Sequence, residues 1–351
     1  AGRSRPSRRV PSPGRGGART GTGPRRMSAL IEAEALARHY ASPMSWRQML
    51  RGARPMVRAV DGVDLAIGAG ESVGLVGESG CGKTTLARLL LRLAQPSSGR
   101  IRFAGEDVAA MDRARLRRFR QQAQMVFQNP FDALNPRFSV RRAVAEPLIN
   151  TGVAREQHGP RIAAALRLVQ LPDPALYDSF SHQLSGGQLQ RVVLARALVV
   201  EPAFLLADEP VSMLDVSVRA GVLNLLREVR DRLGLTLLTI SHDLALVRTI
   251  CDRTAVMYRG RIVEDGPTAA VIRAPAHPYT QALVAAAPRP DVDQPRDPLP
   301  LLAEGETPAG GCRFRPRCPY ALAVCAEQEP ALRPASPGRR VACHLHTAPS
   351  S

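Results

Sequence analysis

Ser72-Val73-Gly74-Leu75-Val76-Gly77-Glu78-Ser79-Gly80-Cys81-Gly82-Lys83-Thr84-Thr85 is the stretch on which the fold turns. Its first five residues read as a short strand, a glycine-rich turn follows, and Leu86, Leu89, Leu90 and Leu93 then recur at helical spacing. A strand, a glycine loop and a helix in this order make a phosphate cradle. The glycines let backbone N–H groups curl around phosphate oxygens, and the helix start adds a favourable dipole. The candidate nucleotide-binding residues here are Gly77, Ser79, Gly80, Cys81, Gly82, Lys83, Thr84 and Thr85. Lys83 reaches the terminal phosphates, and the Thr84 hydroxyl ligates Mg²⁺. Lys83 is also the single lysine of a chain whose other basic residues are arginine, which suits a position needing a compact ammonium on a flexible stem.

Working outward, residues 29 to 43 and 57 to 76 alternate apolar and polar residues as strands do, with an insertion around Trp46 between them. Ile101 to Phe103 begins another strand. From about 112 to 182 the pattern is mostly helical, within an expected helical subdomain of about 112–190, and broken at Pro130, Pro136, Pro147, Pro172 and Pro174. Beyond it, Leu189 to Val200 and Arg219 to Leu233 read as helices. Phe204 to Ala207 and Thr236 to Ile240 read as buried strands, and Ala255 to Tyr258 with Ile262 to Glu264 as a hairpin. Strands alternating with helices predict an α/β fold, a parallel sheet covered on both faces.

Phe204-Leu205-Leu206-Ala207-Asp208-Glu209-Pro210 ends a buried strand in two acids. With the glycine loop this supplies what phosphoryl chemistry lacks: Asp208 to orient Mg²⁺, and Glu209 to polarise the attacking water as general base. Leu184-Ser185-Gly186-Gly187-Gln188 lies just upstream at a helix start. In this order the three motifs resemble those of ABC ATPases, over roughly residues 29 to 272. The resemblance implies a P-loop NTPase fold with an antiparallel β subdomain and a helical subdomain, and a triphosphate held between the Walker side of one subunit and Ser185, Gly186, Gly187 and Gln188 of another. It further implies that Gln128 is the Q-loop glutamine, which touches Mg²⁺ and water, that Asp215 belongs to the D-loop, and that His242 is the switch histidine. Tyr40 is the implied aromatic for stacking on adenine. The expected catalytic set is Glu209, His242, Lys83 and Gln128, with Mg²⁺ held through Thr84, Gln128 and Asp208.

Within ABC ATPases, Val126 to Pro136 and His277-Pro278-Tyr279-Thr280-Gln281-Ala282-Leu283 resemble the oligopeptide, dipeptide and nickel importers. The implied role is the ATP-hydrolysing motor of a peptide importer, peripheral on the cytoplasmic face of the inner membrane. Its implied partners are a second ATPase subunit forming a heterodimer, two transmembrane permease subunits and, indirectly, an extracytoplasmic substrate-binding protein. The alternatives are the same role for nickel or another solute, or a soluble ABC ATPase not coupled to transport. An expected C-terminal extension, residues 276–351, carries Cys312, Cys318, Cys325 and Cys343 among many prolines and few apolar residues, so a cross-link is expected. Metal suits a reducing compartment better than disulfides. The resemblance implies a [4Fe–4S] cluster on these four thiolates, with Zn²⁺ and free thiols as alternatives.

Charge excludes less than it suggests. Of the formal net charge of +17, the eight arginines of residues 1 to 26 supply +8 with no acid among them. Residues 1–28, rich in Gly, Pro and Ser, are expected to be a disordered tail, and the mild surplus elsewhere calls for no nucleic-acid partner. No stretch reaches the roughly 20 apolar residues of a membrane span, so any membrane role falls to a partner.

Overall fold

The computed structural model describes residues 29–41, 56–287, 308 and 310–346. The expected N-terminal tail and the insertion around Trp46 lie outside the described residues.

In chain order the structure runs β1 (Ala29–Ala41), β2 (Met56–Gly68), β3 (Ser72–Val76), α1 (Lys83–Leu90), β4 (Ser98–Phe103), β5 (Glu106–Asp107), α2 (Arg113–Gln122) and β6 (Ala123–Val126). It continues with α3 (Val140–Thr151), α4 (His158–Leu168), α5 (Gly186–Leu198), β7 (Phe204–Asp208), α6 (Val216–Leu233), β8 (Thr236–Ser241) and α7 (Leu244–Ile250). The last elements are β9 (Arg253–Tyr258), β10 (Arg261–Pro267), α8 (Thr268–Arg273), α9 (Pro278–Ala286), β11 (Arg333–Ser336) and β12 (Arg339–Val341).

Two sheets result. An antiparallel one has the order β2-β1-β4-β5, and a larger one the order β11-β12-β10-β9-β3-β8-β7-β6. In the larger sheet β9, β3, β8, β7 and β6 are parallel, and β10, β12 and β11 continue it antiparallel. Every residue of β3, β7 and β8 is buried, so their continuous apolar runs are those of strands covered on both faces. On one face Leu75, Leu206 and Ile240 pack with Leu86 and Leu89 of α1 and with Ile31, Val60 and Leu65 of the antiparallel sheet. On the other, Val76, Leu205 and Leu237 pack with Val144, Leu166, Leu189 and Val193 of the helical region.

Helix starts follow local chemistry. Asp112 accepts from Arg115 N at 2.7 Å, Ser139 from Arg142 N at 3.4 Å and Asp243 from Ala245 N at 2.8 Å, each satisfying an otherwise orphaned donor. Gly152 and Gly234 close α3 and α6 in the left-handed conformation.

The sequence reading passes over four strands, β5, β6, β11 and β12. β6 lies inside the stretch read as helical, yet it pairs in parallel with β7 from Ala123↔Phe204 to Val126↔Ala207. Four residues following a helix directly are too few to show a period of two.

Candidate functional site

At the ends of β3, β7 and β8 lies a cleft of about 530 Å³, lined by Ala59, Ser79, Gly80, Gly82, Lys83, Thr84, Thr85, Gln128, Glu209 and His242. Its size suits a nucleotide-sized ligand. The loop can come this close to β9 and β2 only because glycine stands at the points of contact. A Cβ on Gly77 would sit 2.2 Å from Met257 O, and one on Gly82 would sit 2.0 Å from Ala59 O, with φ of +156° and +110°. Lys83 is buried and donates to Gly77 O at 2.7 Å and Glu78 O at 2.9 Å, so its ammonium is held inside the loop's curl. Cys81 is buried, accepts from Gly260 N through its carbonyl at 2.8 Å and backs the loop.

Opposite the loop stands a three-residue chain. Gln128 Nε2 donates to Glu209 Oε2 at 2.9 Å, and His242 Nδ1 lies 3.0 Å from Glu209 Oε1. These contacts fix both carboxylate oxygens of Glu209, whose backbone adopts φ +46° while its N–H donates to Ile240 O at 2.9 Å. A non-glycine residue in this region is strained, and such strain gathers where a side chain must be aimed. Asp208, 4% exposed, accepts from the Thr84 hydroxyl. Burial, opposed by that hydrogen bond and reinforced by the charge of Glu209, pushes its carboxyl above the usual carboxylate range. A desolvated carboxylate paired with a hydroxyl at the rim of a phosphate-sized cleft is chemically matched to a divalent cation.

The remaining expected residues stand elsewhere. Tyr40 on β1 pairs with Val57, carries the Arg38 guanidinium 4.7 Å from its ring centroid and is absent from the cleft lining. Ala59 of β2 lines the cleft instead, with no signal in the sequence beyond its place in a strand. Ser185 begins α5 with a reciprocal cap: its hydroxyl accepts from Gln188 N at 3.3 Å, and Gln188 Oε1 accepts from Ser185 N at 3.0 Å. Gly186 abuts Leu214, and Gly187 lies so close to Val218 that an added Cβ would be 2.6 Å from Cγ1. Asp215 precedes α6 and makes no side-chain cap. None of Ser185, Gly186, Gly187, Gln188 and Asp215 lines the cleft of its own chain.

The four cysteines of the extension form no disulfide, Cys318 and Cys325 being buried and Cys312 and Cys343 partly so. Cys312 N donates to Cys325 O at 2.8 Å. Burial, with the charges of Cys312, Cys318 and Cys325 adding, pushes the Cys343 thiol up to about 11. The thiols are thus within electrostatic reach of one another. Among the described residues, however, no group of three or more His, Cys, Asp or Glu is arranged to hold a metal ion. The expected [4Fe–4S] or zinc site therefore has the donor chemistry and lacks the assembled geometry.

Comparison with known proteins agrees with this layout. The ABC transporter family profile matches residues 60–212, and the oligopeptide/dipeptide transporter C-terminal region matches residues 263–325. A "Probable peptide ABC transporter ATP-binding protein" of Sinorhizobium fredii is 46% identical over 90% of both chains. A di/tripeptide transport ATP-binding protein of Pseudomonas aeruginosa is 42% identical over 91% of this chain and 98% of its own. Among solved structures, a bacterial ABC transporter cassette in its dimeric form superposes with a TM-score of 0.59 at 26% identity, covering 68% of this chain and 98% of the cassette.

Proposed function

The chain belongs to the ABC transporter family of ATP-binding proteins, and from that premise we propose that it is the ATP-hydrolysing motor of an importer that takes up di- and oligopeptides. The observation carrying this reading is the Gln128–Glu209–His242 chain facing a glycine loop across one cleft. The loop N–H groups and Lys83 bind the phosphates, Glu209 orients and deprotonates the attacking water, and Gln128 and His242 hold the carboxylate in place. Thr84, Asp208 and Gln128 suit Mg²⁺, which would neutralise phosphate charge when bound.

Because Ser185 to Gln188 do not line their own chain's cleft, they are read as serving the cleft of a second ATPase subunit, in a heterodimer of related chains. Among the described residues no helix is long and apolar enough to cross a membrane. In this reading, transport falls to two permease subunits, fed by an extracytoplasmic binding protein, with this chain peripheral on the cytoplasmic face. Phe131, 59% exposed three residues beyond Gln128, offers an apolar anchor for them. The peptide names of its relatives and its matched C-terminal region favour peptide over nickel, and transport over a soluble role. The four thiols remain the proposed seat of a [4Fe–4S] cluster, with zinc as the alternative. Broad visible absorbance from anaerobically purified protein is the expected sign, and colourless protein free of iron and sulfide overturns the cluster.

Glu209→Gln tests the central reading. The variant should bind ATP with unchanged affinity and lose turnover by roughly a hundredfold or more. Hydrolysis near the unsubstituted rate would refute the assignment.

A further inference from the structure

Glu78 places a carboxylate in a loop that must hold a triphosphate. Its carboxylate adds a negative charge beside a polyanion, and in open water that repulsion would weaken binding. The structure answers it from far along the chain. Arg317 Nη1 lies 3.0 Å from both carboxylate oxygens of Glu78, across 239 residues of sequence. Arg317 sits between Pro316 and Cys318 in the four-cysteine extension, and its side chain is only 11% exposed. Its guanidinium lies over Phe314, 5.8 Å from the ring centroid, and Phe314 packs edge-on against Tyr258 of β9 and against Tyr279 of α9. The Tyr279 hydroxyl in turn accepts from Glu78 N at 2.8 Å, while Glu78 O accepts from Lys83. Glu78 is thus held through its amide, its carbonyl and its carboxylate, two of the three by residues C-terminal to the parallel strands.

We propose that Arg317 is a positioning residue for nucleotide binding, by which the C-terminal extension neutralises Glu78 and fixes the entry of the phosphate loop. The inference rests on the ATPase reading above and adds a physical link from the extension to the site. A buried aromatic base and a two-oxygen grip keep the guanidinium on the carboxylate, so the loop presents a paired charge to the incoming phosphates. Without Arg317 the carboxylate stands unpaired in the loop, one residue before Ser79 of the cleft lining.

The test uses the full chain together with its partner ATPase subunit and steady-state hydrolysis over a range of MgATP concentrations. Arg317→Ala should raise KM for ATP about fivefold, with kcat changed less than about twofold, because the lost interaction concerns binding rather than the reacting atoms. The defect should shrink as ionic strength rises, since it comes from unscreened repulsion. Adding Glu78→Gln to Arg317→Ala should return KM to near its starting value. An Arg317→Ala chain with unchanged KM, or a double variant that keeps the whole defect, overturns the proposal in favour of packing alone. Should Arg317→Ala fail to fold, Arg317→Gln keeps much of the side-chain volume without the charge, and the same KM shift and the same rescue are expected of it. A wild-type chain that neither binds nor hydrolyses ATP would instead strike the ATPase reading, a result read before any variant is made.

Discussion

At Gly187 the absence of a side chain decides how α5 meets α6. A Cβ there would lie 2.6 Å from Cγ1 of Val218, a β-branched side chain with little freedom to turn away. Gly187→Ala must push the start of α5 off α6 and take Ser185, two residues before it, along. Since neither residue lines its own chain's cleft, ATP affinity should stay within about twofold, while turnover falls roughly ten- to a hundredfold through misplacement. Nucleotide binding and hydrolysis measured side by side check the split, and equal losses in both would show general unfolding. Glu209, by contrast, is fixed by its own chain, through Gln128 and His242. The two halves of the proposed chemistry are thus set by different kinds of contact, one internal and one awaiting a second molecule.

The elements joining the extension to the core rest on buried polar pairs. Glu264 of β10 is fully buried, with Arg339 Nε 3.0 Å away and the N–H groups of Ala276 and His277 donating to it at 3.2 and 2.9 Å. His277 caps α9: its Nδ1 accepts from Tyr279 N at 3.0 Å, which requires that nitrogen to be unprotonated. Burial, with His346 adding, pushes its pKa down to about 3. The folded state therefore holds the ring neutral while the unfolded chain protonates it below about 6.5, so stability is full above that value and falls as pH drops towards 3. From pH 7 to pH 5 this one group should cost roughly 1 to 2 kcal/mol, and denaturant melts of the wild type and His277→Asn check it. The asparagine oxygen can keep the cap without titrating, so its curve should lose that part of the slope. A wild-type slope equal to the variant's would remove His277 from the account.

For the molecule as a whole, the residues read as a nucleotide site fall into two groups that one chain does not bring together. Ser79, Gly80, Gly82, Lys83, Thr84, Thr85, Gln128, Glu209 and His242 share a cleft, and Ser185 to Gln188 do not border it. With hydrolysis blocked by Glu209→Gln, ATP should drive the chain onto its partner ATPase, doubling the mass seen by light scattering, and removing ATP should reverse it. Adding Gly187→Ala should abolish that association. A complex of the same mass with and without ATP would separate assembly from nucleotide.

Much of this was legible in the residues themselves. The glycine loop and the Asp208–Glu209 pair carry a chemistry that works only in a fixed local order, so spacing along the chain pointed to them, whereas the Ser185 helix start was legible only through its resemblance to the ABC ATPases. The buried strands β3, β7 and β8 were equally visible, because being covered on both faces demands an unbroken apolar run. β6 was not visible, since its identity comes from pairing with β7 and four residues bear no period of their own. Nor could sequence show that Ala59 lines the cleft while Tyr40 does not, or that Arg317 holds Glu78. Those facts depend on which distant segments the packed core sets side by side. Local patterns record a residue's own backbone and immediate neighbours, whereas contacts across more than two hundred residues exist only once burial has folded the chain back upon itself.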